Sequence, residues 1–186
     1  MNSEKKSSAF YPMLGIIAVF TFLIAWLFAI ADNASWIFGE DMIHVLRTSD
    51  SGNYLVFGLA ASGILLAISS IGKITGGEGR YARTAEGVLL LVAGITMVWI
   101  GFFDHGENIH TYAAILACFS FAAAMIASLI DDFGKNRHMV WGSVTLIIIA
   151  MMAASYITHA DAKVQMAEIL GVLIWTALRC VKGFTE

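Results

Sequence analysis

"EGVLLLVAGITMVWIGFFDHGENIHTYAAILACFSFAAAMIASLI", residues Glu86 to Ile130, decides the fold. Two apolar runs flank one polar knot. The knot, Asp104 to His110, holds an aspartate, two histidines and a glutamate, with no lysine or arginine. Each run approaches the length of a helical membrane crossing, which takes about 20 residues. Strands of a transmembrane barrel would be shorter and alternate in polarity. The stretch reads as two membrane helices joined by a short wet turn.

The rest of the chain repeats this pattern. Six apolar stretches are long enough to cross a bilayer: 10–31, 54–72, 86–103, 110–130, 139–158 and 164–182. Of the 186 residues, 59% are hydrophobic and only 13% charged. Soluble domains carry about 25% charged residues, so lipid is the expected solvent for most of the chain. The expected fold is a single all-α domain, 1–186, built as a bundle of six transmembrane helices. The first apolar stretch exceeds the roughly 7–15 residues of a signal-peptide core and reads as a retained span. Pro12 stands near its start, where a missing N–H does little harm.

Charge sets the expected orientation. Lys5, Lys6, Lys73, Arg80, Arg83, Lys135, Arg137, Arg179 and Lys182 fall on one side of the alternating spans; Arg47 and Lys163 fall on the other. The basic side faces the cytoplasm in such proteins, which predicts a cell-membrane protein with both termini cytoplasmic. The glycine-rich inner loop "KITGGEGRYART" reads as a flexible segment against anionic headgroups; it lacks the ending of a P-loop. Tyr11 and Trp141 are expected at the inner interface. Trp26, Tyr54, Trp99, Phe102, Phe103, Tyr112 and Tyr156 are expected at the outer one.

Small residues mark packing faces. Gly87, Gly94 and Gly101 recur every seven residues in the third span. Ala113, Ala117, Ser120, Ala124 and Ala127 form a stripe in the fourth. Such stripes let helices approach closely, so the third and fourth spans are expected to form a tight antiparallel hairpin. Small-residue faces would equally suit other membrane proteins or a second copy of the chain. In the first outer connection, Phe38, Met42, Val45 and Leu46 share one helical face. That predicts a short amphipathic helix on the outer leaflet, or a lid over the bundle. Cys118 and Cys180 form no CxxC pair and read as buried spectators. With a net charge of −3 and no basic run, nucleic acid is not an expected partner.

Four of the five histidines map to the outer side: His44, His105, His110 and His159. Glu168 is the unusual acid, because it lies inside the sixth span. An ionisable residue there faces the bundle interior and marks a candidate site. At its depth stand His110, entering the fourth span, and Asp104, leaving the third. His110, Glu168 and Asp104 are therefore the candidate catalytic residues. A Glu–His pair can act as acid and base on a lipid headgroup; it can equally be a structural bond between helices. His110, Asp104, His159 and Glu168 could also hold a divalent metal, since two imidazoles and a carboxylate suit zinc. No HExxH spacing is present, and the cofactor question stays open. A serine nucleophile elbow is absent, and whether the protein is an enzyme is not decided.

"IHVLRTSDSGNYLVFGLAASGILL", "GITMVWIGFFDHGENIHTYAA" and the glutamate of the last span together resemble the six-span prokaryotic membrane family called domain of unknown function 998. Gly101, Phe102 and His110 carry the likeness at the third-to-fourth turn; Asp104 stands near where the family pattern places proline. The family is similar in layout to eukaryotic six-span proteins linked to lipid remodelling. The resemblance thus implies membrane lipids as partners, by analogy of fold alone. The leading expectation is an outer-leaflet pocket that binds or modifies lipid headgroups. The alternatives are a non-catalytic subunit or scaffold, and a small channel or transporter.

Overall fold

A computed structural model describes residues 2–47, 52–76, 80–103, 108–132, 145–150 and 162–184, with side chains undescribed at 2–8, 44 and 47. The elements are α1 (Asn2–Ala31), the single-turn α2 (Ile43–Arg47), α3 (Gly52–Thr75), α4 (Tyr81–Phe102), α5 (Asn108–Asp132), a helical stretch α6 (145–150) and α7 (Ala162–Gly183). Among the described residues five helices are long and apolar enough to cross a membrane. They correspond to the first, second, third, fourth and sixth expected spans. Of the fifth, 139–158, only 145–150 is described.

Apolar length explains the helices, because a backbone in lipid must satisfy its hydrogen bonds within the segment. Neighbours follow the chain: α1 packs on α3, α3 on α4 and α4 on α5, while α7 returns to α1. Near the start of α1 and the end of α7, Pro12 meets Gly183; this is the termini end of the bundle. Asp132, closing α5, lies at that same end beside Arg179 and Lys182. Gln165, opening α7, lies at the far end beside Ile43. Asp132 and Gln165 thus mark opposite ends, and Ile148 of α6 touches α7 at Gly171 between them.

Several expectations are corrected by the packing. The seven-residue glycine stripe of α4 faces α3, not α5. A Cβ on Gly94 would stand 2.6 Å from the Gly63 carbonyl oxygen, and one on Gly63 would stand 2.5 Å from the Gly94 carbonyl oxygen. Gly87 meets Lys73 and Ile74, and Gly101 meets Val56 and Ala60. The α5 stripe of Ala113, Ala117, Ser120, Ala124 and Ala127 is buried, and α5 does pack on α4. Spacing revealed the faces but not which neighbour each would meet.

Pro12 stands near the start of the first span, Ala9–Ala31, as expected, although the helix itself begins earlier, at Asn2. Trp26 does not join an interface belt; it is buried with Phe22, Trp36, Leu46, Leu55 and Met166. Tyr54, Trp99, Phe102 and Tyr112 are exposed, as a belt requires. The expected amphipathic helix shrinks to one turn. Gly39 adopts φ +79°, a left-handed conformation that interrupts a right-handed helix. Asp41 Oδ2 accepts the Ile37 N–H at 2.8 Å and holds that turn. Phe38 and Val45 are exposed while Leu46 is fully buried, so these residues do not share a face.

The crossing of α3 and α4 gives a direct test. Gly63→Ala and Gly94→Ala should each lower stability by roughly 1–3 kcal/mol, the usual cost of overpacking. The two substitutions press on the same contact, so the double variant should lose less than the sum. Thermal unfolding in detergent reads both effects. Unchanged melting of either single variant would contradict this close backbone approach.

Candidate functional site

A cavity of about 410 Å³ occupies the far half of the bundle. Its walls come from α1 (Ala18, Val19, Phe22), α2 (Ile43), α3 (Leu55, Leu59, Ser62, Leu66), α4 (Met97, Ile100), α5 and α7. The α5 contribution is His110, Thr111, Ala114, Ile115, Ala117, Cys118 and Phe121; that of α7 is Gln165, Glu168, Ile169, Val172, Leu173 and Thr176. Most of this surface is hydrocarbon, with a few polar groups among it. The volume lies within the roughly 300–1,000 Å³ typical of small-molecule sites.

His110 and Glu168, singled out from the sequence, both line this one cavity. Geometry assigns the proton on His110. Its Nδ1 lies 3.0 Å from the Phe103 carbonyl oxygen. A carbonyl can only accept, so Nδ1 carries the hydrogen and donates it; in the neutral ring Nε2 keeps the lone pair. The same bond fixes the ring against the end of α4, where Phe103 turns extended. Glu168 accepts from the Cys118 thiol, Sγ to Oε1 at 3.5 Å. Cys118 is exposed and lines the cavity, whereas Cys180 is buried, so only the second fits the spectator reading. Gln165 Oε1 accepts the Ile43 N–H at 3.1 Å and ties α2 to α7 beside the cavity.

Asp104, His105, His159 and Asp161 lie outside the described residues, as does the His44 side chain. Asp104 and His159 therefore cannot be placed against His110 and Glu168. Among the described residues no group of three histidine, cysteine, aspartate or glutamate side chains could hold a metal ion.

Below the cavity, Ala18, Leu66 and Phe121 join Leu90, Ala93, Ala124, Met125, Ile148 and Trp175 in a closed apolar cluster. At the termini end lies a charge network the sequence reading missed. Glu86 of α4 is fully buried. Arg179 grips it with two parallel bonds, Nε to Oε1 at 3.0 Å and Nη2 to Oε2 at 2.5 Å. Lys73 adds a third contact at 3.0 Å. Arg179 Nη1 also reaches Asp132 Oδ2 at 2.8 Å, and Lys182 pairs with Asp132 Oδ1. Arg80 forks onto Asp131, Nε to Oδ1 at 3.0 Å and Nη2 to Oδ2 at 2.5 Å.

Four cations thus meet three carboxylates, and α3, α4, α5 and α7 are joined. Lys73 and Arg80 were expected against lipid headgroups; they bind carboxylates within the bundle instead. The available signal was the presence of Glu86, Asp131 and Asp132 on the otherwise basic side, each beside a span end.

Among models of protein families, the one described as "Protein of unknown function (DUF998)" matches residues 16–182. The chain belongs to this family. No curated protein and no solved structure matches it. The family match spans all the described residues that line the cavity or form the charge network. With its five apolar crossing-length helices, the protein is an all-α, multi-pass membrane protein.

Removing one partner from a buried ion pair strands the other. Glu86→Ala should therefore lower stability by roughly 3–5 kcal/mol. In a cycle with Arg179→Ala the losses should be strongly non-additive. A loss below about 1 kcal/mol for Glu86→Ala, read by thermal unfolding, would show that the network does not hold the bundle.

Proposed function

We propose that the protein binds a membrane lipid in the far-end cavity, with the head at His110 and Glu168 and the chain along the apolar wall. One observation carries this reading: His110 and Glu168, from different helices, line a single cavity whose surface is mostly hydrocarbon. That combination suits an amphiphile, because apolar surface binds the chain and a few placed polar groups orient the head. Asp104, which lies outside the described residues, belongs to this proposal as a further candidate for the head. The α2 turn, tied to Gln165, covers the cavity. The His110 imidazole and the Glu168 carboxylate are the groups through which the head would be modified, by general acid–base chemistry.

The small-residue faces that a scaffold would offer to partners are used inside the bundle, which supports the lipid reading over that one. The apolar cluster between cavity and charge network supports it over a channel.

In vesicles, Glu168→Ala and His110→Ala should each weaken lipid binding by about tenfold or more, the scale of losing one buried polar contact. Both variants should melt near the parent protein. Full lipid binding by both would remove the reading.

The orientation proposed with this function places the termini end in the cytoplasm of a cell-membrane protein. The charge asymmetry of the connections supports it. Reporter fusions at the two termini should both be active only in the cytoplasm; an active exported fusion at either one would reverse the topology.

A further inference from the structure

The three long walls of the cavity share one height. On α3 the lining runs from Leu55 to Leu66, on α5 from His110 to Phe121, and on α7 from Gln165 to Thr176. The residues of each pair are eleven positions apart, roughly 16 Å along a helix axis. All three helices start at the far end, and Leu55, His110 and Gln165 stand about one turn in. Leu66, Phe121 and Thr176 therefore lie at one level, deep in the bundle.

That level is a floor. Ala18, Leu66 and Phe121 are each the deepest lining residue of their helix, and all three belong to the apolar cluster below. Leu90, Met125 and Trp175 fill the space beneath them. Packed, buried side chains yield little room, so an alkyl chain entering from the far end stops there. Carbon–carbon bonds of about 1.5 Å at near-tetrahedral angles advance an extended chain by roughly 1.25 Å per carbon. The wall height then matches about thirteen atoms of chain and head together. Volume agrees with length: at about 30 Å³ per methylene, the space of a water molecule in the liquid, 410 Å³ has room for roughly fourteen. Two chains of that length would need twice the space.

We infer that the cavity is a ruler for one alkyl chain of about ten to fourteen carbons, so that its ligand is a medium-length, single-chain amphiphile. This ligand class rests on the lipid reading of the site and specifies the chain, whatever head it carries.

Two lipid series test it: saturated 1-monoacylglycerols and lysophosphatidylcholines, each with chains of eight to eighteen carbons. The full-length protein, in a sterol-based detergent that has no alkyl chain to compete, is equilibrated with each series at equal mole fractions. Mass spectrometry then identifies the lipid that stays bound. In each series that binds, enrichment should peak between ten and fourteen carbons and fall by about fivefold or more at eighteen. Two-chain dimyristoylphosphatidylcholine should be enriched about fivefold less than the best single-chain probe. Phe121→Ala removes part of the floor and should move the peak to chains about two to four carbons longer.

Enrichment that is flat or still rising at eighteen carbons, or equal enrichment of the two-chain lipid, would overturn the inference while leaving the lipid reading in place. Absence of enrichment in both series would overturn both. The chain series uses the unaltered protein, so it decides the matter even if the variant fails to fold. An unmoved peak in a folded Phe121→Ala variant would also count as refutation.

Discussion

The bundle depends on the Arg179 guanidinium and the Glu86 carboxylate that it grips. A charged side chain at the centre of a membrane helix costs roughly 2.5–3.5 kcal/mol on insertion scales. Glu86 is not at the centre of α4, but it is fully buried, and burial exacts a desolvation cost of its own. Two parallel hydrogen bonds from Arg179 and a third contact from Lys73 offset that cost. Guanidinium geometry matters here, since its planar fork matches both carboxylate oxygens while a third N–H reaches Asp132. Through these bonds α7, which makes few other close approaches to α4, is fixed in rotation and height.

That fixing connects one end of the molecule to the other. Glu168 and Arg179 are eleven residues apart on α7, about three turns and roughly 16 Å along the axis. At about 100° per residue they return to nearly the same face. The side of α7 that delivers a guanidinium to Glu86 therefore delivers a carboxylate to the cavity. Thr176, Val172 and Ile169 line the cavity between them, and the shared apolar cluster, with Trp175, fills the space below. The cavity is held open by a helix whose register is decided elsewhere.

The sequence made some of this plain and hid the rest for physical reasons. Spans were visible because lipid demands unbroken apolar length, and Glu168 was visible because a carboxylate interrupts such a run. His110 followed from its depth. Glu86, Asp131 and Asp132 were not noticed, since at the ends of spans an acid looks like ordinary flanking polarity. Their partners Lys73, Arg80, Arg179 and Lys182 were counted only as topology signals, a role that pairing does not contradict. The stripe of Gly87, Gly94 and Gly101 announced a close approach, yet periodicity identifies a face and not the helix that meets it. The turn at Gly39 was missed because apolar spacing in a short segment outweighed one glycine. Asp104 and His159 fall outside the described residues, so those two members of the expected site stay as expectations.

The charge network has a consequence for how the chain enters the membrane. Synthesis delivers Lys73 just before Glu86, so the α3–α4 hairpin reaches the bilayer with its buried acid already matched. Arg80 likewise precedes Asp131. Asp132 and the second grip on Glu86 must wait for Arg179 and Lys182, which follow later in the chain on α7. That helix carries Glu168 as well, which makes α7 the element most dependent on partners already in place. The pairs that join α7 to the bundle are thus the ones whose two halves lie farthest apart in the chain: Glu86 with Arg179, and Asp132 with Arg179 and Lys182.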